Sequence, residues 1–229
     1  MQGLMQQQPL LISTLIEHAA AFHGDTEIVS VLPEGGQHRT TWKEVASRAR
    51  RLANALAGLG VIWLILRKYK VGWDSIGLRK FNVLKSSALI IAMFVAFVAL
   101  AYAALIITKI LLPGFDPNQA QVNEFTSAIT GNARIISFFA LVVIPPIVEE
   151  ILFRGFMFPA FAGKVGIFFG ALFSSMLFGI AHLQANVGVY TIVLGLLLCY
   201  MYKRTGSIIP GMVLHMINNY VAFAALMGK

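Results

Sequence analysis

Apolar positions recur at three- and four-residue spacing from Trp42 to Leu59, where Val45, Ala49, Leu52, Ala53 and Leu56 alternate with charged side chains. That rhythm is an amphipathic helix. Thr41 is placed to cap it, with Glu44 three residues on to complete a capping box. Upstream, Leu11 to Phe22 reads as a further helix, and Glu27 to Leu32 as a short strand before a turn at Pro33-Glu34-Gly35-Gly36. Past Gly60 the alternation gives way to long apolar runs. Leu52 to Leu66, which contains Asn54 and stops at Arg67-Lys68-Tyr69-Lys70, is about fifteen residues, short of the roughly twenty that cross a bilayer. It reads as a truncated first span. Ser86 to Ile107, Ile135 to Phe161, Val165 to Leu183, Val187 to Tyr202 and Ser207 to Met227 give five more. The pattern predicts an all-α, polytopic transmembrane helix bundle of five or six spans behind a short soluble, α-rich N-terminal segment.

Composition agrees. Of 229 residues, 58% are hydrophobic and 12% charged, with mean hydropathy +0.75, whereas soluble domains are about a quarter charged. The formal charge of +8 raises the question of nucleic acid, but the basic residues stand at the ends of apolar runs, without aromatic interleaving. They read as topological anchors, and no nucleic-acid partner is expected. The basic Arg67 to Lys85 loop and Lys203-Arg204 place those ends in the cytoplasm by the positive-inside rule, although Arg48, Arg50 and Arg51 make both flanks of the first run basic. Leu112 to Asn132 carries Asp116 and Glu124. A single cysteine, Cys199, excludes an intrachain disulfide and reads as a small core- or lipid-facing residue. MQGLMQQQPLL lacks a basic region followed by an apolar core, so no cleavable signal is expected.

Residues 1–60 differ in kind from 61–229. They hold five of the ten acidic residues and three of the five histidines, His18, His23 and His38, none in ligand-like pairing. STLIEHAAAFHGDTEIVS and HRTTWKEVASRARRLANALAGLGV resemble the extreme N-terminus of an acyl-CoA synthetase of the adenylate-forming superfamily. The phosphate-binding loop of that superfamily has no counterpart here, so ligase chemistry is not expected.

Chemistry concentrates in the apolar part. Glu149, Glu150 and Arg154 stand together in a run where each charge costs roughly 2.5–3.5 kcal/mol unless paired or facing a wet cavity. Glu150 and Arg154, four apart with the acid first, share a helical face and can neutralise each other. Glu149, turned about 100° away, needs a partner of its own or a raised pKa, and is a candidate general base. Pro145-Pro146 is expected to start a helix and put both glutamates in its first turn. Two further polar intrusions follow, Phe178 to His182 and His215 to Asn219. Singly, each is explained as interhelical glue. Together, on three successive long segments, they are most simply one buried site.

EEILFR, FGIAH and HMINN, in that order, resemble the three motifs of the CPBP intramembrane proteases, the CAAX-prenyl-protease and Abi group. The resemblance implies an intramembrane endopeptidase in which Glu149 with His182 activates a water while His215 with Asn219 stabilises the oxyanion. Glu150, Arg154 and Phe178 are its supporting residues. It implies a peptide or protein substrate, prenylated or leader-bearing, within a lipid bilayer, and no cofactor. Zinc on a Glu and two His remains the alternative, against which stands the lack of an HExxH pair on one helix. A non-catalytic scaffold or immunity protein of the same fold, and a transporter with a glutamate proton relay, are the competing functional classes.

Overall fold

The computed structural model describes residues 12–31, 37–115, 138–182 and 185–227. The expected turn at 33–36, the loop acids Asp116 and Glu124, and the span residues Ile135 and Leu183 lie outside them.

Helix α1 (Ile12–Phe22) is followed by an antiparallel hairpin of β1 (Glu27–Val31) and β2 (Gln37–Thr41), in which Ile28 pairs with Thr40. The single predicted strand has therefore found a partner in the residues just before the helix cap. At that cap, Thr41 Oγ1 accepts from the Glu44 N–H at 3.3 Å, and the Glu44 carboxylate accepts from the Thr41 N–H at 3.1 Å. Both orphan donors are satisfied as the sequence leads one to expect.

The helix so capped, α2, runs from Trp42 to Tyr69. The amphipathic helix and the apolar run are thus one rod rather than a soluble helix followed by a truncated span. Nothing between them breaks a helix: Gly58 and Gly60 cost propensity, and tertiary contacts at the far end outweigh it. Ile62 and Leu66 are buried with Ile76, Ile151, Ile208 and Met212. Lys70, left-handed at φ 55°, ends the helix by donating its N–H to the Arg67 and Leu66 carbonyls.

A 3-10 turn, Trp73–Ile76, leads to α3 (Val83–Leu111), capped by Asn82, whose Oδ1 accepts the Lys85 N–H at 2.9 Å. One face of α3 packs Phe97 and Ala101 against Leu194, Leu198, Met201 and Leu214; most of its other apolar side chains are exposed. An apolar helix exposed on most sides has the surface of a lipid-facing span.

The helical segment Phe139–Ala181 comprises a π-turn (Phe139–Val143), α4 (Ile144–Glu150), a second π-turn (Ile151–Met157) and α5 (Phe158–Ala181). Inside α5 the backbone turns at Gly166, at φ 83° and ψ 165°. There the chain folds back on itself. Gly170 lies against Ala162, the Phe161 and Phe173 rings stand 6.3 Å apart, and Ser174 Oγ donates to the Phe153 carbonyl at 3.0 Å. The segment is therefore two antiparallel limbs, divided where the sequence separates its apolar runs. α6 (Ala185–Thr205) and α7 (Ile209–Met227) complete the bundle. Among the described residues, Val83–Leu111, Phe139–Ala181 and Ala185–Thr205 are long and apolar enough to cross a membrane.

Small residues bring these helices close. Gly179 lies against Ile192 and the Gly188 carbonyl, and Gly195 against Ser175. Between helices in lipid, where no hydrophobic force acts, such contact is what dispersion requires.

Candidate active site

Pro145 and Pro146 stand at the first positions of α4, as expected, but they do not break the helix before it. The π-turn precedes them, with the Ile144 N–H bonded to the Phe139 carbonyl five residues back, and the rod continues through. Glu149 and Glu150 consequently sit mid-rod, not in a first turn. The wider π-turn accommodates the pyrrolidine rings where an α-turn would clash. One carbonyl is still orphaned. Leu141 would be bonded by residue 145 in α register or by residue 146 in π register, and both are prolines. Asn219 on α7 supplies the missing donor, its Nδ2 standing 3.0 Å from the Leu141 oxygen.

Glu150 and Arg154 are fully buried and paired, Nη1 to Oε1, at 2.8 Å. Arg154 occupies a slot that only small residues leave open: a Cβ on Gly195 would lie 3.1 Å from Nη2. Its guanidinium carbon stands 4.3 Å from the Phe178 ring centroid, which adds a desolvated cation–π contact. Arg154 Nε and Nη2 and Glu150 Oε2 make no hydrogen bond among the described residues. The ring and the single short pair are what hold this charge in the bundle.

His215 is buried and lies between the two glutamates. Its Nδ1 is 3.2 Å from Glu150 Oε1, and its Nε2 is 3.6 Å from Glu149 Oε2. Glu149 does face away from Glu150, as the spacing leads one to expect, but toward the other nitrogen of the same imidazole rather than to a separate partner. Glu150 Oε1 already accepts from Arg154, so it calls for a donor, and Nδ1–H meets that need. Nε2 then faces Glu149 across a gap too long for a hydrogen bond. Glu149 keeps 29% of its side chain exposed, so it is the acid of the pair with access to solvent.

His182 is half-buried at the end of α5. Its Nδ1 donates to the Phe178 carbonyl at 2.8 Å, and its ring meets the Phe178 ring edge-on at 4.9 Å. That bond puts the proton on Nδ1 and leaves Nε2 as an acceptor. His182 lies within electrostatic reach of Glu149. Fully buried Phe178 touches His182, His215 at 5.6 Å and Arg154, and is the hub of the cluster.

All seven residues singled out from the sequence gather here, Glu149, Glu150, Arg154, Phe178, His182, His215 and Asn219. Sequence reading missed the wall behind Arg154: Gly195, Ser175 and buried Cys199, whose sulfur lies 4.0 Å from Ser175 Oγ. Their only signal was small size on apolar helices. Among the described residues no three His, Cys, Asp or Glu side chains are grouped as a metal site requires.

Residues 131–221 match the family described as Type II CAAX prenyl endopeptidase Rce1-like. The chain is 32% identical over 107 residues to the putative membrane peptidase YdiL of Bacillus subtilis, covering 45% of this chain and 44% of that protein. It is 30% identical over 104 residues to CAAX prenyl protease 2 of Homo sapiens, covering 37% and 32% respectively. Over 61 residues it is 57% identical to 3-methylmercaptopropionyl-CoA ligase of Ruegeria lacuscaerulensis, covering 27% of this chain and 11% of the ligase. The chain thus spans less than half the length of each of these relatives. No solved structure matches it. Residues 131–221, which carry all seven clustered side chains, are thus similar to the Rce1-like CAAX prenyl endopeptidases, in a chain whose N-terminal portion is similar to acyl-CoA ligases.

Proposed function

We propose that the chain is a multi-pass intramembrane endopeptidase that hydrolyses peptide bonds of membrane-associated substrates with a glutamate-activated water. The observation that carries this reading is the buried His215 imidazole held between Glu150, itself fixed by Arg154, and solvent-accessible Glu149. A site without a serine or cysteine nucleophile needs a base for water and donors for the oxyanion. Glu149, with the free Nε2 of His182 beside it, is that base, worth about 10²–10⁴ in rate. The oxyanion donors are the amide hydrogen of Asn219 not engaged by Leu141 and the Nε2–H that His215 carries when, with Nδ1–H directed to Glu150, it is the imidazolium, each worth about 10²–10³. Glu150 and Arg154 fix His215, and Phe178 fixes His182 by accepting its Nδ1–H. The chemistry is assigned wholly to 61–229, without a metal. Residues 1–60 have no part in it. The basic Arg67–Lys85 and Lys203-Arg204 ends are assigned to the cytoplasmic side of the plasma membrane, and the substrate is a prenylated or leader-bearing peptide or protein.

The test is cleavage of a prenylated C-terminal reporter and a leader-peptide reporter by purified wild type and Glu149→Gln, each with and without a strong zinc chelator. Expected is cleavage of one reporter that survives chelation and falls at least about 10²-fold in the variant, with thermal stability retained. Undiminished cleavage by Glu149→Gln would refute the assignment of the base, and loss on chelation would refute the metal-free mechanism. Failure of folded wild type on both reporters would favour the non-catalytic scaffold.

A further inference from the structure

Away from the glutamates, a cavity of about 250 Å³ opens where the first turn of α3 meets the last turn of α6, lined by Asn82, Lys85, Ser86, Leu89, Arg204 and Thr205. Its chemistry is one-sided. Lys85 and Arg204 come from different helices, no carboxylate lines the wall, and neither cation is ion-paired among the described residues. Thr205 is committed, its hydroxyl lying 2.8 Å from both the Met201 and Ser207 carbonyls, and Asn82 spends its Oδ1 on capping α3.

Ser86 is different. It is only 3% exposed, it lies on the cavity wall, and its hydroxyl makes no hydrogen bond among the described residues, not even to the Asn82 carbonyl that its own N–H reaches. Its oxygen is open to the cavity rather than sealed in the protein, so its hydrogen-bond partner there is water or a ligand. The free N–H groups of the α3 N-terminus add to the positive field.

We propose that this cavity is a binding site for a phosphate group carried by a membrane lipid, held by the Ser86 hydroxyl between Lys85 and Arg204. Two cations and a hydroxyl, on converging walls, match the several acceptor oxygens of a phosphate. The place favours a lipid as the source. The cavity stands at the ends of two helices apolar enough to cross a membrane, Val83–Leu111 and Ala185–Thr205, where headgroups lie. Leu89 gives it an apolar side continuous with the exposed face of α3, along which an acyl chain can run. Arg79, Lys80 and Lys203 flank it in sequence and raise the local concentration of anionic lipid. The Ser207 hydroxyl donates to the Arg79 carbonyl at 2.8 Å, which ties that basic segment to the start of α7.

The test uses the full chain in a non-ionic detergent, titrated separately with short-chain phosphatidylglycerol, with a diacylglycerol of the same chains lacking phosphate, and with inorganic phosphate. Thermal shift and native mass spectrometry read binding. Phosphatidylglycerol should bind and raise Tm, and the diacylglycerol should not. Lys85→Gln with Arg204→Gln should weaken the binding on the order of 30-fold, at about 1 kcal/mol per cation and tenfold per 1.4 kcal/mol. Ser86→Ala, which leaves all charges in place and fills no space, should weaken it several-fold, while Lys164→Gln at the far Gly166 turn should not. Equal binding by wild type, Ser86→Ala and the double variant would overturn the site, as would a diacylglycerol that binds as well as the phospholipid. Inorganic phosphate reproducing the full shift would support the phosphate site and overturn the lipid as its source.

Discussion

Among the described residues, Asn219→Ala removes the donor that reaches the Leu141 carbonyl, at 3.0 Å. A buried acceptor left unmade costs about 1–3 kcal/mol, while hydrogen bonds inside membrane proteins average about 0.6 and reach about 1.7. Asn219 and Leu141 are both half-buried, so the lower range governs. The expected loss is about 1 kcal/mol, measured by reversible unfolding of the purified chain in mixed detergent and SDS. That loss alone would not identify the carbonyl, since Asn219 Oδ1 also accepts from Asn218 at 3.3 Å. A double-mutant cycle does. Pro145→Ala restores an N–H in α register to the Leu141 oxygen, and Pro146→Ala restores one in π register. In one of these two backgrounds the cost of Asn219→Ala should shrink by about 0.5–1 kcal/mol, and the background that rescues reports which register the turn prefers. Additivity within about 0.3 kcal/mol in both backgrounds would refute the claim that the prolines create the vacancy that Asn219 fills.

Two further substitutions probe the frame around the site. Arg154→Met leaves Glu150 buried without its cation, and should cost about 3–5 kcal/mol. Adding Glu150→Gln should recover part of it in the same unfolding assay, and no recovery would mean that Arg154 acts by packing alone. Gly166→Ala should cost about 1–3 kcal/mol because φ 83° with ψ 165° is a region essentially confined to glycine. An added methyl there meets no heavy atom within 4 Å, so a neutral result in detergent melting would show that the backbone relaxes at no cost.

Much of the site was legible along the chain because charge in an apolar run demands an explanation wherever it occurs. Glu149, Glu150, Arg154, His182, His215 and Asn219 stood out by that rule alone, and the i, i+4 spacing anticipated the 2.8 Å pair of Glu150 with Arg154. The Thr41–Glu44 capping box was equally local and equally readable. What failed were inferences about how neighbouring runs join. The boundary near Leu52 to Leu66 vanished into a single α2, because a shift in composition is not a helix breaker and the contacts of Ile62 and Leu66 lie far along the sequence. Pro145-Pro146 misled for a related reason: whether proline ends a helix depends on whether the freed carbonyl finds another partner.

The sequence by itself therefore determined the lipid-compatible helices, the cap of α2, the division of apolar runs near Gly166 and the identity of the polar side chains that cluster at the candidate site, since each follows from spacing and polarity within a few residues. Only the tertiary structure decided that one imidazole serves both glutamates, that Phe178 joins His182, His215 and Arg154, and that Asn219 completes the Leu141 carbonyl. The glutamate–imidazole and Leu141–Asn219 contacts join residues 65–78 apart in sequence. They depend on the close approach that Gly179 and Gly195 allow and on the fold-back at Gly166, and neither packing depth nor chain reversal is encoded in local periodicity.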